Sequence, residues 1–172
     1  MPDRRVKLDQ IDRKILCDLQ DRGRITNVEL ARRAGISAPS CLRRVRALQE
    51  AGLIRGYHAN LDAELLGFEV AFYALVGLNS QSEAVLTGFE GLVGQWPEVR
   101  ECHMIRGGGD FLLLVVARNT AHENALTTLL TGARNVSNVT TFQIIRSDKR
   151  LPGVPVEVSQ REKVAGPIPA RS

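Results

Sequence analysis

The spacing of apolar residues changes near residue 60, and this change most constrains the fold. Before it, apolar side chains recur about every 3.6 residues, the period of a helix that buries one face. From residue 68 onward, short runs rich in β-branched and aromatic residues alternate with helical stretches. The sequence therefore predicts an α+β chain with a helical domain over residues 1–60, a mixed domain over residues 61–150 and an irregular tail over residues 151–172.

The first 60 residues are predicted to form three helices, each ended by a glycine. The first is LDQIDRKILCDLQDR. Thr26 and Glu29 have the spacing of a capping box, in which each side chain bonds the other residue's backbone amide, and they open the second helix, NVELARRA. Ser37 is the expected cap of a third helix that ends at Gly52. The segment LIRGYHANLD that follows is predicted to be a short wing or hinge.

The third helix presents arginines and hydroxyls on one side. At 100° per residue its buried face is predicted to hold Leu42, Val45 and Leu48, with Cys41 at the margin. Its outward face is predicted to hold Ser40, Arg43 and Ala47, with Arg44 beside them. Two helices joined by a glycine turn, the second carrying such an outward face, indicate a helix-turn-helix. Arginine can bind guanine with two hydrogen bonds, and serine can contact a base edge or a phosphate.

The distribution of charge agrees with a polyanionic partner for the first domain. The whole chain carries a net charge of +4, but residues 1–60 hold 13 basic and 7 acidic residues, a net of +6. We therefore predict binding to double-stranded DNA, with phosphate contacts from the arginines that end the second helix. The candidate DNA-binding residues are Asn27, Arg32, Arg33, Ser37, Ser40, Arg43, Arg44 and Ala47. The alternative is a small helical bundle with a solvated basic surface.

The second domain follows the order strand, helix, strand, strand, helix, strand. Its first strand is predicted over residues 68–78 and its last over residues 138–145. Ser82 is the expected cap of the first helix, and a capping box of Thr120 and Glu123 is expected to open the second. This order predicts a ferredoxin-like βαββαβ domain.

The loop RGGGD, residues 106–110, lies between the two middle strands. It does not have the pattern of a phosphate-binding loop, because the glycines lead into a strand and no Lys-Ser or Lys-Thr follows them. The residues leave two interpretations open. The loop is either a hairpin turn with Asp110 as a capping or solvated residue, or the edge of a ligand pocket.

Several classes of site and location are disfavoured. Cys17, Cys41 and Cys102 are odd in number and far apart, so no disulfide framework is expected. Cys102 and His103 are adjacent on a strand and point to opposite faces, so no metal site is expected, and no other cofactor is indicated. No apolar run approaches the roughly 20 residues of a membrane helix, and no export signal is recognised. We expect a cytoplasmic protein that is not membrane-bound.

The segments LDQIDRKIL, DRGRITNVELARRAGIS, CLRRVRALQEAGLIRGY and ECHMIRGGGDFLL resemble the Lrp/AsnC (feast/famine) family of prokaryotic transcription regulators. The resemblance covers roughly residues 7–146. It implies a winged helix-turn-helix DNA-binding domain followed by an amino-acid-responsive domain. It also implies homodimers formed through the sheets, assembly of dimers into octamers, and association with the nucleoid.

The resemblance also implies an effector site at the interface between dimers. The family's loop aspartate matches Asp110, and its leading glycine matches Gly107. Gly108, Gly109, Phe142 and Ile144 complete the candidate effector-binding residues. A carboxylate can pair with a ligand ammonium, and glycines allow backbone amides to approach a ligand carboxylate. Phe142 and Ile144 are equally suited to the core or to a dimer interface.

Two other functional classes fit the same fold. Sirohaem decarboxylases are similar in their two-domain arrangement, but the outward arginines of the third helix argue against that use, and no nucleophile with a neighbouring base is present. We therefore expect that the protein is not an enzyme. The remaining alternative is an architectural protein that compacts DNA without an effector.

Overall fold

The computed structural model describes residues 6–158, so expectations for residues 1–5 and 159–172 lie outside the described part of the chain. Its helices and strands are α1 (Gln10–Asp21), α2 (Asn27–Ala34), α3 (Ala38–Glu50), β1 (Val70–Leu78), α4 (Glu83–Val93), β2 (Val99–Met104), β3 (Phe111–Ala117), α5 (Thr120–Thr131) and β4 (Val136–Gln143). No helix among the described residues is long and apolar enough to cross a bilayer. The predicted α+β class is confirmed.

The described chain divides into two compact units. The helical unit comprises residues 6–59 together with residues 150–158, and the sheet unit comprises residues 60–149. The sequence predicted an irregular tail from residue 151. In the structure the described part of that tail, residues 151–158, has no helix or strand and packs on the helical unit of its own chain.

The helices of the first unit begin at side-chain caps, although one expected contact is missing. Asp9 and Asp12 form a reciprocal capping box at the start of α1, with the Asp12 amide donating to Asp9 Oδ1 over 2.8 Å. Thr26 accepts from the Glu29 amide as predicted, over 3.2 Å. The Glu29 carboxylate does not accept a hydrogen bond from the Thr26 amide, because it binds arginines of its own helix. Ser37 is at the cap position of α3 but makes no capping hydrogen bond.

The predicted buried face of α3 is confirmed for Leu48 and Val45, which face the core, and wrong for Leu42. The core of the helical unit consists of residues from all three helices: Ile15, Leu30, Ala31, Ala34, Cys41 and Leu48. Cys41, expected at the margin, is fully buried, whereas Leu42, expected inside, is 40% exposed. The helix is therefore rotated so that Cys41 packs against the other helices, and Leu42 lies toward solvent.

The segment LIRGYHANLD, predicted to be a short wing or hinge, does not form a strand. Residues 53–62, which the structure describes, contain no strand. A strand is stable only when it is paired, and the only paired strands in the described residues are those of the sheet unit.

The sheet unit has the predicted βαββαβ order. Its four strands are all antiparallel and lie in the order β2-β3-β1-β4, which is the ferredoxin-like arrangement. The core lies on one face of this sheet, where β1 and β3 bury alternate side chains beneath α4 and α5. Two details differ from the prediction. The cap of α5 is Asn119, whose Oδ1 accepts from the His122 amide over 2.9 Å. Ser82 occupies the cap position of α4, but its side chain makes no capping hydrogen bond.

The other face of the sheet carries a group of apolar side chains at its centre, flanked by Glu101 and His103 of β2 and by Thr140 of β4. Cross-strand pairing places Tyr73 of β1 between Leu114 of β3 and Phe142 of β4, and these residues share one face. We call this surface the open sheet face: Ala71, Tyr73, Leu75, Leu112, Leu114, Val116 and Phe142. None of these side chains belongs to the buried core, and Phe142 is 53% exposed.

Candidate functional site

The outward face of α3 carries two arginines that are available for an external partner. Arg43 and Arg46 are exposed and one helical turn apart. Within residues 6–158 neither forms a hydrogen bond or an ion pair with another side chain. Ala47 is exposed next to them. Arg46 was missed at the sequence level, although its spacing of three residues from Arg43 is a usable signal.

Arg44 does not share this outward direction. Its Nη1 lies 2.7 Å from Asp9 Oδ2 and 2.7 Å from Asp12 Oδ1, at the start of α1. Asp9 has its pKa held below the usual value, first by the hydrogen bond from the Asp12 amide and then by Arg44. Arg44 therefore fastens α3 to α1 in this structure. Its expected contact with DNA stays a prediction.

Arg32 and Arg33 are also paired inside the protein. Glu29 lies 2.6 Å from Arg32 and 3.0 Å from Arg33, and hydrogen bonds from these two guanidinium groups lower the pKa of Glu29 to about 2. Arg33 also binds Asp18 over 3.0 Å. The Arg32 side chain is 73% exposed, so a DNA phosphate can compete with Glu29 for it.

The remaining candidates of the helical unit differ in exposure. Asn27 donates its side-chain N–H to the Ala38 carbonyl over 2.8 Å, and its Oδ1 is buried without a partner among the described residues. This contact joins the start of α2 to the start of α3. Ser37 is exposed and Ser40 is half-buried. DNA contacts by these three residues stay predictions.

In the sheet unit, Asp110 lies beside the end of β1 and accepts two hydrogen bonds. Its Oδ2 accepts from the Leu78 amide over 2.7 Å, and its Oδ1 accepts from the Gln81 side chain over 2.9 Å. The Asp110 amide donates to the Val76 carbonyl over 2.9 Å. Asp110 thus caps the junction of two strands, as one of the two sequence interpretations expected. A carboxylate has about four acceptor positions, so two remain for a ligand.

The three loop glycines have different structural roles. Gly107 has φ +149°, a conformation that residues with a side chain rarely adopt. A Cβ on Gly109 would lie 2.8 Å from a methyl group of Leu75 and 3.1 Å from the Val76 carbonyl oxygen. Gly108 has open space around it. The loop therefore needs a glycine at position 109, where it packs against β1. At Gly108 the backbone of the loop is exposed.

The structure does not bring Phe142 and Ile144 to this loop within one chain. Phe142 pairs with Tyr73, and the Ile144 amide donates to the Ala71 carbonyl over 2.8 Å. Asp110 binds β1 at Val76 and Leu78. At about 3.3 Å per residue, the two groups are separated by roughly 10 to 23 Å along β1.

Other chemistry has little support in the described residues. They contain no group of three or more His, Cys, Asp or Glu side chains that could hold a metal ion. Cys102 and His103 lie on opposite faces of β2, as expected from their adjacent positions. The role of Gln81 had no sequence signal, because its contact with Asp110 arises only when the end of β1 meets the loop.

Comparison with known proteins covers both units. Residues 8–55 match a family described as winged helix-turn-helix DNA-binding, and residues 71–154 match the Lrp/AsnC ligand binding domain. A leucine-responsive regulatory protein of Rhizobium meliloti (strain 1021) is 53% identical over 146 residues, covering 84% of this chain and 94% of that protein. A protein of the same description from Escherichia coli (strain K12) is 36% identical, covering 83% of this chain and 88% of its own.

Solved structures agree in fold. A transcriptional regulator from Neisseria meningitidis, in complex with L-methionine, superposes with a TM-score of 0.81 at 32% identity, covering 87% of this chain and 97% of that one. An AsnC family transcriptional regulator from Agrobacterium tumefaciens has a TM-score of 0.81 at 29% identity, covering 86% and 97%.

Proposed function

This chain belongs to the Lrp/AsnC family of DNA-binding transcription regulators with a ligand-binding domain, and we propose that an amino acid bound between two of its dimers modulates its activity. The observation that carries this proposal is the division of the candidate effector residues along β1. Asp110 and its loop lie at one end, and Phe142 and Ile144 lie toward the other. Asp110 and the pair Phe142 and Ile144 are separated by roughly 10 to 23 Å along β1, and a second copy can supply an apolar group close to Asp110.

The chemistry of the loop suits an amino acid. Asp110 offers a negative charge to a ligand ammonium, and the backbone amides at Gly107 and Gly108 have no side chain in front of them for a ligand carboxylate. The related regulator from Neisseria meningitidis is described in complex with L-methionine, which supports this class of ligand.

The open sheet face is the proposed contact between two copies that form a dimer. Its centre is apolar, with Glu101, His103 and Thr140 at its margins, and burying the apolar side chains against a second copy contributes about 25 cal/mol per Å². Dimers joined at the Asp110 loops would then form the octamer. A contact that uses the same patch on both partners is the kind that joins two copies with two-fold symmetry.

On DNA, α3 is proposed to enter the major groove with Arg43 and Arg46 facing the bases. Arg32 is proposed to contact a phosphate in exchange for Glu29. With DNA as its partner, we place the protein in the cytoplasm, in association with the nucleoid. The relatives reported above are named as regulators, and this supports a role other than that of an enzyme.

The effector is tested by thermal unfolding of the sheet unit in the presence of each amino acid singly. Trp96 is the only tryptophan and packs against the core of that unit, so its fluorescence follows this unfolding. Ligand at 100 times its Kd stabilises the folded state by about 2.7 kcal/mol, which raises the midpoint of such a unit by roughly 10 to 20 °C.

The matched variants are Asp110→Asn and Asp148→Asn, the second being the same change at an exposed carboxylate. We expect that ligand no longer raises the unfolding midpoint of Asp110→Asn above the midpoint of the same variant without ligand. In Asp148→Asn we expect the ligand to raise the midpoint as in the wild type. A shift that survives Asp110→Asn would exclude Asp110 from the site, and no shift with any amino acid would exclude this ligand class.

The dimer is tested by sedimentation equilibrium of Leu114→Glu, which puts a charge at the centre of the open sheet face. We expect dissociation to monomers, and with it loss of the ligand shift, since the site needs a second copy. The control is Thr131→Glu, on the exposed side of α5. An intact assembly in Leu114→Glu would place the interface elsewhere.

A further inference from the structure

The segment of residues 150–158, which we call the strap, returns to the helical unit after the sheet unit is complete. The Gln20 side-chain amide donates to the Val154 carbonyl over 2.8 Å, and Gln20 Oε1 accepts from the Val154 amide over 3.2 Å. Arg13 donates to the Glu157 carbonyl over 3.4 Å. Gln20 therefore pairs with both backbone groups of Val154, as a neighbouring strand would.

The strap and α1 have matching lengths between these contacts. Gln20 and Arg13 are seven residues apart on a helix, which is about 10 Å. Val154 and Glu157 are three residues apart in an extended chain, which is also about 10 Å. The strap thus runs antiparallel to α1. Cys17 lies on the same helical face, between the two contact points, and its side chain is half-buried.

One strap residue is restricted by the contact itself. Gly153 has φ +67°, in the region that favours glycine, and a Cβ there would collide with the Gln20 side chain. A valine at this position would have to move away from Gln20. The contact between Gln20 and Val154 therefore depends on the glycine at position 153 of the strap as well as on α1.

We propose that the face of α1 formed by Arg13, Cys17 and Gln20 is a docking site for an extended segment, and that the strap occupies it. The chain leaves the helical unit after Ala59 and returns to it at Arg150. Docking therefore gives the sheet unit a second attachment to the DNA-binding unit, besides the linker that follows α3. This inference goes beyond the proposed function and requires neither an effector nor a dimer.

The test measures the reaction of Cys17 with a thiol reagent in the full chain, in a Cys102→Ser background that removes the exposed thiol. Gly153→Val changes the strap and leaves the sequence of α1 unaltered, and Gln20→Ala changes the docking face. Both variants are expected to raise the rate at which Cys17 reacts with the reagent about tenfold, because the loss of hydrogen bonds of this kind makes exposure of the docking face about tenfold more favourable. Lys14→Ala, an exposed position next to that face, is the control and is expected to leave the rate unchanged.

Cys41 is fully buried in the core of the helical unit and reports its unfolding in the same samples. We expect its rate to stay slow in both variants. An unchanged Cys17 rate in Gly153→Val would overturn the docking site, even if Gln20→Ala accelerates it. Equal acceleration of Cys41 would show general unfolding and would also overturn the strap as a separate element.

Discussion

Replacing Asp110 by alanine is expected to destabilise the sheet unit as well as remove a ligand contact. In the structure the carboxylate accepts from the Leu78 amide over 2.7 Å and from Gln81 over 2.9 Å. Leu78 is buried, so its amide has little access to water when the acceptor is lost. Asparagine keeps one oxygen for this amide, but it loses the charge, and its NH2 group replaces the oxygen that accepts from Gln81.

The magnitude follows from these contacts. A buried donor left without a partner costs about 1–3 kcal/mol, and the exposed Gln81 contact adds little. We therefore expect Asp110→Ala to lower the free energy of unfolding by about 2 kcal/mol, and Asp110→Asn by about 1 kcal/mol or less. For a unit of this size, with a slope of about 1–2 kcal/mol per M urea, the alanine midpoint falls by roughly 1–2 M.

The assay is urea unfolding followed by Trp96 fluorescence, at one fixed protein concentration because assembly also shifts the midpoint. The expected order of midpoints is wild type, then Asp110→Asn, then Asp110→Ala. An alanine variant with the wild-type midpoint would show that the capping bonds contribute nothing. An asparagine variant as unstable as the alanine variant would show that charge, and not the acceptor, is what matters.

Three further results are expected. Gly109→Ala should lower the same midpoint, at a cost of about 1–3 kcal/mol, because the added Cβ would lie 2.8 Å from a leucine methyl of β1, whereas Gly108→Ala, in open space, should leave it unchanged. Arg43→Ala should weaken specific DNA binding about tenfold in fluorescence anisotropy, and Arg44→Ala by less than about threefold, since Arg43 faces outward and Arg44 is held by Asp9 and Asp12; equal losses would contradict this distinction. Glu29 has a folded pKa of about 2 against an ordinary value of 4.5. Its ionised form therefore adds stability that is complete above pH 4.5 and is lost as the pH falls to 2. Glu29→Gln should remove that part of the acid dependence of far-UV circular dichroism, and an unchanged profile would assign it to other carboxylates.

The sequence was sufficient for the order of elements because each element has its own hydrophobic period. The ferredoxin-like order and the helix-turn-helix both follow from such periods and from caps that lie within a few residues of each other. The rotation of α3 was harder to predict. Cysteine is buried as readily as leucine, so the sequence pattern does not decide whether Cys41 or Leu42 faces the core.

The contacts of the candidate sites were not predictable, because they join residues that are distant in the chain. Arg44 meets Asp9 and Asp12 only after α1 and α3 pack together. Asp110 meets Gln81 only when the loop reaches the end of β1. The strap has no hydrophobic period and is held by polar contacts of Gln20, so its sequence was interpreted as irregular.

The internal pairing of arginines in the helical unit has a consequence for the salt dependence of DNA binding. Each cation that newly neutralises a phosphate releases condensed counterions, and the logarithm of affinity falls with the logarithm of salt by about 0.9 per such contact. Arg44 is held by two carboxylates, and Arg32 and Arg33 share Glu29. An arginine that exchanges a carboxylate for a phosphate leaves that carboxylate to attract a cation of its own. The salt slope should therefore be shallower than the number of basic residues in this unit suggests.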